Sequence, residues 1–177
     1  MQSRSLRIFY KLEKKLLKVL KLFSREKFDK QFYKHLKKIG VNLEVNPRFI
    51  SDDVYLDEVD YSLINIEKNV TISKGVTLLV HDFSITQPLI IKGEDIQGAV
   101  LLRPIYLKKG CFIGANSIIL PGTCIGENVI VGAGSVVKGD IPDNVIIAGN
   151  PARVINTIEN YGEKILNVPA ERIKIWR

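Results

Sequence analysis

The 177 residues hold only two histidines, two cysteines, one methionine and one tryptophan. Two histidines, His35 and His81, are too few for a histidine-rich zinc centre, so no metal site is expected. Cys111 and Cys124 have neither metal-ligand nor redox spacing, and a chain this long needs no disulfide staple; both are expected as reduced, small hydrophobic residues. No apolar run approaches the roughly 20 residues of a membrane span. The N-terminal apolar positions are broken by Lys or Arg every few residues, unlike the apolar stretch of a signal peptide. A cytoplasmic location is therefore expected.

Acidic residues are also scarce at one end. Residues 1–40 carry 13 Lys or Arg against Glu13, Glu26 and Asp29, a charge of +10, whereas the rest carries 13 against 16, or −3. The overall charge of +7 thus belongs to the N-terminal segment. What is present in quantity is apolar: 46% of residues are hydrophobic and 25% charged, which allows a packed core in one ordinary domain. In the first segment Leu6, Tyr10, Leu16, Leu17, Leu20 and Phe23 fall near one helical face, with Lys11, Lys14, Lys15, Lys18 and Lys21 largely elsewhere. A second helix is expected to bring Phe28, Phe32, Leu36 and Ile39 together and to end at Gly40.

From Leu43 the period changes. An aliphatic or aromatic residue recurs every six positions: Leu43, Phe49 and Tyr55; Ile66, Ile72 and Leu78; then Leu107, Ile113, Ile119, Ile125, Val131 and Val137. Three positions later stands a corner register of Asn46, Asp52, Glu58, Asn69, Gly75, His81, Gly110, Asn116, Gly122, Asn128, Gly134 and Asp140, mostly types that tolerate a left-handed backbone. The next position is usually small or apolar (Val70, Val76, Cys111, Ser117, Thr123, Val129, Ser135), as a narrow lumen requires. One strand-and-turn unit cannot bury its own apolar residue, so the units must stack into a β-solenoid. The phase slips by one residue between Tyr55 and Ile66, and a protruding loop is expected over 83–104. Its Gln87, Lys92, Glu94, Asp95, Gln97 and Arg103 suit a sugar-binding wall. After Pro151, Val154, Ile158 and Ile165 return to helical spacing and suggest a cap on the stack. The divisions expected are a basic helical extension at 1–40, the solenoid at 41–150 and a tail at 151–177.

The runs LINIEKNVTISKGVTLLVHD and CFIGANSIILPGTCIGENVIVGAGSVVKGDIPDNVIIAGNPARVI resemble the hexapeptide-repeat acetyltransferases of the maltose, galactoside and polysaccharide O-acetyltransferase type. The resemblance covers roughly residues 41–156. It implies a mainly β fold, a left-handed parallel β-helix, assembled as a homotrimer with acetyl-CoA as co-substrate in the groove between subunits. It also implies acetyl transfer to a hydroxyl or amino group of a sugar or polysaccharide precursor. His81 stands where the family has its catalytic base, in LLVHD. A left-handed corner would by itself explain a His; the adjoining insertion argues for chemistry instead. Imidazole suits proton removal near neutral pH, but one ring nitrogen must be held by a partner. Asp82, a backbone carbonyl, Asp57 or Asp60 could each be that partner.

By the same resemblance, Ala115 and Ala133 match positions whose backbone binds the pantetheine arm, and Arg153 a basic residue near the nucleotide end of CoA. The sequence departs from the family at Lys138, where relatives have Thr and a lysine could bind phosphate instead, and at Phe112, where they have Trp. A γ-carbonic anhydrase on the same scaffold would need more histidines, and a sugar-nucleotide pyrophosphorylase a far longer N-terminal domain. The alternative from another class is a catalytically silent trimeric scaffold held to a membrane by its basic helix. Nucleic acid is not an expected partner, because charge is the only feature favouring it. For residues 1–40 two readings stand: peripheral attachment at the inner membrane surface, or a helical pair packed on the solenoid with a solvated Lys face.

Overall fold

The structure is a computed structural model that describes residues 4–174 except 46, 95 and 97; for residues 4–7 and 11 it describes the backbone alone. The expectations for the Leu6 and Lys11 side chains, and for Asn46, Asp95 and Gln97, lie outside the described residues. The chain climbs a triangular stack of very short strands, parallel within each face. The first face is Asn42–Leu43, Ile64–Ile66, Ile105–Leu107, Cys124–Ile125 and Asp140–Ile141. Phe49–Ile50, Thr71–Ile72, Phe112–Ile113, Ile130–Val131 and Val145–Gly149 form the second, and Tyr55–Leu56, Thr77–Leu78, Ile118–Ile119 and Val136–Val137 the third. Each two-residue strand of the regular coils turns one residue into the lumen, the three-residue strands bury both ends, and Ile66, Ile72, Leu78, Leu107, Ile113, Ile119, Ile125, Val131 and Val137 are all fully buried. Each such side chain contributes about 1.5–3 kcal/mol. The small register fits as expected: Val70, Val76, Cys111, Ser117, Thr123, Val129 and Ser135 are fully buried, and burial pushes the Cys111 thiol up to about 12.

The first coil departs from the sequence reading. Ile50 pairs with Ile72 and Leu56 with Leu78, so Ile50 and Leu56 are the inward residues, not Phe49 and Tyr55. One extra residue sits in the corner between Leu43 and Ile50, and the stretch after Leu56, where the slip is expected, is also longer than a regular corner because it holds the 3-10 turn Tyr61–Leu63. Phe49 instead lies under the Arg25 guanidinium, 5.0 Å from its ring centroid, and Tyr55 is half exposed. Left-handed corners occur at Asn69, Gly75, Gly110, Asn116, Gly122, Asn128 and Gly134. Asp52, Glu58 and His81 do not have that backbone; Gly139 takes it rather than Asp140, and Asn144 takes it at the corner that follows. The Gly75 corner is covered by the coil above it: an added Cβ there would lie 2.2 Å from Asn116 Oδ1, so the asparagine side chain occupies the space the glycine leaves.

Helix α1 (Arg4–Phe23) and helix α2 (Arg25–Ile39) form a hairpin over the open first coil. Ser24 Oγ caps α2 by accepting from Lys27 N–H at 3.3 Å, and Gly40 ends it at φ 111°. Phe28, Phe32, Leu36 and Ile39 are buried in one cluster with the lumen, as their spacing predicts. In α1 the expected single apolar face divides: Tyr10 and Leu17 pack inward, while Leu16, Leu20 and Phe23 are exposed. The 83–104 segment is not a plain loop. His81–Asp82 pairs antiparallel with Leu101–Leu102, and helix α3 (Thr86–Ile91) lies between. After Pro151 the helical reading begins too early, because Ala152–Thr157 adds an antiparallel strand to the second face before helix α4 (Ile158–Leu166). Val154, Ile155, Ile165 and Leu166 remain exposed, so within one chain the tail edges the stack rather than plugging it.

Candidate active site

The insertion leaves the solenoid at the exit of the third face, and this fixes His81. Leu78 is the last lumen residue, Val80 is fully buried, and His81 begins the antiparallel arm. One coil below, Asp57 directly follows the inward Leu56 and is only 1% exposed. Its Oδ2 accepts from Val80 N–H at 2.9 Å, from His81 N–H at 3.1 Å and from His81 Nδ1, while Oδ1 accepts from Val59 N–H at 3.2 Å. A buried carboxylate requires such donors. Since a carboxylate can only accept, Nδ1 carries a proton, and in the neutral imidazole Nε2 is then the nitrogen with the lone pair. The Phe83 ring packs edge-on against the imidazole, with centroids 4.9 Å apart, which fixes a second side of the ring.

Asp82 does something else. Its Oδ1 accepts from Ser84 N–H at 2.8 Å, and the Ser84 hydrogen bonds, helped by Lys138 and Arg103, hold this carboxyl below the usual carboxylate range. It closes the turn after the strand, and the group that holds the imidazole is Asp57. Both carboxylates border the same edge, but only Asp57 touches the imidazole. In the sequence Asp57 is one of several alternatives, because the six-residue period places Tyr55 rather than Leu56 inward. With Leu56 inward, Asp57 falls in register with Leu79, and the direct neighbour of the histidine becomes evident.

A cleft of about 200 Å³ opens beside the imidazole, lined by Leu79, His81, Asp82, Leu101, Arg103 and Lys138 among others. Lys138, expected at a phosphate site, thus shares the cleft with His81. The other expected contact residues gather at the opposite edge of the third face. Ala115 and Ala133 occupy equivalent corners of successive coils, joined by Gly134 N–H to Ala115 O at 2.8 Å. A Cβ on Gly114 would lie 2.5 Å from Ala133 N, so the two coils touch backbone to backbone beneath a strip of small side chains. Phe112 projects from the adjoining second-face strand, partly exposed. Arg153 continues the line from the last strand, opposite Ala148, with its guanidinium donating to Ala152 O at 2.9 Å. A single chain therefore brings His81, Asp82 and Lys138 together and sets Phe112, Ala115, Ala133 and Arg153 apart from them. Among the described residues no cluster of His, Cys, Asp or Glu could hold a metal ion.

The family model for the bacterial transferase hexapeptide (six repeats) matches residues 104–139. Protein CapG of Staphylococcus aureus is 42% identical over 131 residues, covering 74% of each chain. The galactoside O-acetyltransferase of Escherichia coli K12 is 36% identical over 121 residues, 68% of this chain and 57% of that enzyme. Among solved structures, a galactoside acetyltransferase in complex with coenzyme A superposes with a TM-score of 0.58 at 26% identity, over 92% of this chain and 86% of the other. With the triangular coil of short parallel strands, its lumen register and the histidine at the coil edge already in place, these likenesses make the chain a member of the hexapeptide-repeat acetyltransferase family, whose fold is the left-handed β-helix.

Proposed function

We propose that this protein transfers the acetyl group of acetyl-CoA to a hydroxyl of a sugar or polysaccharide precursor, with His81 as general base, at a site shared between neighbouring subunits of a homotrimer. The observation that carries this reading is the hydrogen bond from His81 Nδ1 to the buried Asp57, which leaves Nε2 as a proton acceptor at the cleft. Acetyl-CoA supplies an activated acyl group whose sulfur is a good leaving group. His81 Nε2 takes the proton of the acceptor hydroxyl as that oxygen bonds to the acyl carbon, and returns it to the departing sulfur, giving an acetyl ester and free CoA. Asp57 holds the ring orientation throughout and stabilises the transient imidazolium.

The strip at Ala115 and Ala133 fits the thin arm of CoA, since side chains larger than methyl would block close approach to the exposed backbone. Arg153 at its end fits a phosphate. The third face separates this strip from His81, so a neighbouring copy supplying its strip to the histidine edge would complete the site. Lys138 and Arg103 face the acceptor side of the same cleft. Residues 1–40 enter this reading as a peripheral attachment of the enzyme. The test is acetyl-CoA consumption against a panel of sugars and saccharide precursors. Acceptor-dependent turnover is expected in the wild type, with a fall of about 10²–10⁴ in His81→Ala, the usual contribution of a placed base. The fold should survive this change, because three backbone N–H groups still satisfy Asp57. Turnover unchanged in His81→Ala would remove the histidine from the chemistry; no turnover with any acceptor would favour the silent scaffold.

A further inference from the structure

The outer side of α1 presents a large set of apolar side chains that stay largely uncovered. Ile8, Phe9, Leu12, Leu16, Val19, Leu20 and Phe23 are each between 37% and 83% exposed. At 3.6 residues per turn these seven fall within an arc of about 120°. From residue 8 onward no polar side chain interrupts that arc. The opposite side of the helix is already occupied: Tyr10 and Leu17 meet the core, Glu13 pairs with His35 and Lys38, and Lys18 and Lys21 reach Asp52 at 3.4 and 2.6 Å. The helix is therefore fixed by one face and leaves a continuous apolar face outward.

Charge decides between occupants of this face. Lys15 lies exposed along one border of the arc, and Lys38 borders the other, its Nζ 5.1 Å from the Phe9 ring centroid. Pairing two such helices would bring two +10 segments together, which costs energy. An apolar stripe edged by lysines instead complements a bilayer with anionic headgroups: the aliphatic and aromatic groups enter the acyl boundary, and the lysine stems reach along it so that the ammonium groups stay among the phosphates. We infer that this outer face of α1 docks the enzyme on an anionic lipid surface. The inference rests on the peripheral attachment read above and supplies its contact residues. It also gives attachment a consequence: α1 lies over the first coil, the coil that contributes Asp57, so docking holds the histidine edge close to the membrane and favours acceptors displayed there.

Sedimentation of the full chain with vesicles tests this. Phosphatidylcholine vesicles containing phosphatidylglycerol should carry down the protein at low salt, pure phosphatidylcholine far less, and raised salt should release much of it. Leu16→Glu combined with Phe23→Glu alters two of the most exposed positions and should lower binding by about 10²-fold or more. The same variant should keep its helical circular dichroism and its turnover on soluble acceptors, which separates failure of docking from failure of the acetyltransfer reading. Equal sedimentation of variant and wild type, or no preference for anionic vesicles, would overturn the inference. So would a larger wild-type assembly in light scattering that the variant loses, because the face would then belong to a second copy.

Discussion

Asp57→Asn removes one negative charge at the floor of the site and keeps its shape, so it isolates what that charge does for His81. An amide oxygen in the Oδ2 place can still accept from Val80 and His81 N–H, at the loss of the Val59 contact made by Oδ1, but it neither enforces the Nδ1–H tautomer nor stabilises an imidazolium. Turnover in this variant is expected to fall by about 10²–10⁴ while acetyl-CoA affinity stays within a few-fold, since the strip proposed for CoA lies at the other edge of the third face. Steady-state kinetics with direct CoA-binding measurements check this; a loss confined to CoA affinity would show that Asp57 serves the cofactor groove. At this scale the sequence was partly legible. His81 stood out by its rarity and by its place before an insertion. Its partner did not, because a carboxylate seven residues before the next regular coil has no local signature of its own. Only the pairing of Leu56 with Leu78 places it under the histidine.

Among the elements, the solenoid was readable and its attachments were not, for a physical reason. A lumen strand buries one residue in six with no choice of partner, so the period survives in the chain from Ile66 to Val137. The corner before Phe49 carries one extra residue, and periodicity alone cannot say which of Phe49 or Ile50 turns inward, since both are large and apolar. The segment after Pro151 likewise satisfies helical spacing, and only its pairing with Val145–Gly149 makes Ala152–Thr157 a strand. The helical hairpin has a pH dependence that follows from its buried polar contact. His35 is buried against Tyr10, with Glu13, Lys14 and Lys38 around it. Burial drives its basicity below the ordinary value of 6.5, with Glu13 opposing only in part. Glu13 is itself held low, first by the Lys38 hydrogen bond. At Asp52 burial works upward, but Lys21 and Lys18 outweigh it, so that carboxyl also ends low. The folded pKa of all three groups lies below the unfolded one, so their contribution is complete at neutral pH. It declines first as pH falls below about 6.5, when His35 begins to bind a proton preferentially in the undocked state, and again below about 4.5 as the carboxylates follow. Hydrogen exchange of α1 should therefore quicken between neutral pH and about pH 5, after correction for the intrinsic rate, and His35→Phe should abolish that first step. Protection that stays flat over this range in the wild type would show that the contact does not govern docking.

For the whole molecule, the separation of the two edges of the third face makes a prediction about assembly. Light scattering should give three times the 20.0 kDa chain mass. Complementation is the sharper test. His81→Ala damages one edge and Ala133→Trp obstructs the other, so each homotrimer should be inactive. Trimers formed from an equal mixture should regain about a quarter of wild-type turnover, the chance that adjacent subunits each bring their intact edge. No recovery would place both edges of a working site in one chain. The insertion between Leu78 and Ile105 has a further consequence. The third-face strand at Thr77–Leu78 pairs with Ile118–Ile119 in unbroken register, although more than twenty residues intervene in the arm between these coils. The coil therefore closes around whatever the arm contains, and lengthening such an excursion costs little, about 0.6 kcal/mol for each doubling. In the proposed reading, the wall that would meet the acceptor is thus an interchangeable cassette on a frame whose register does not depend on it. Selection can rewrite what is acetylated without renegotiating how the protein folds, and exchange of residues 83–104 between relatives is a direct route to altered acceptor choice.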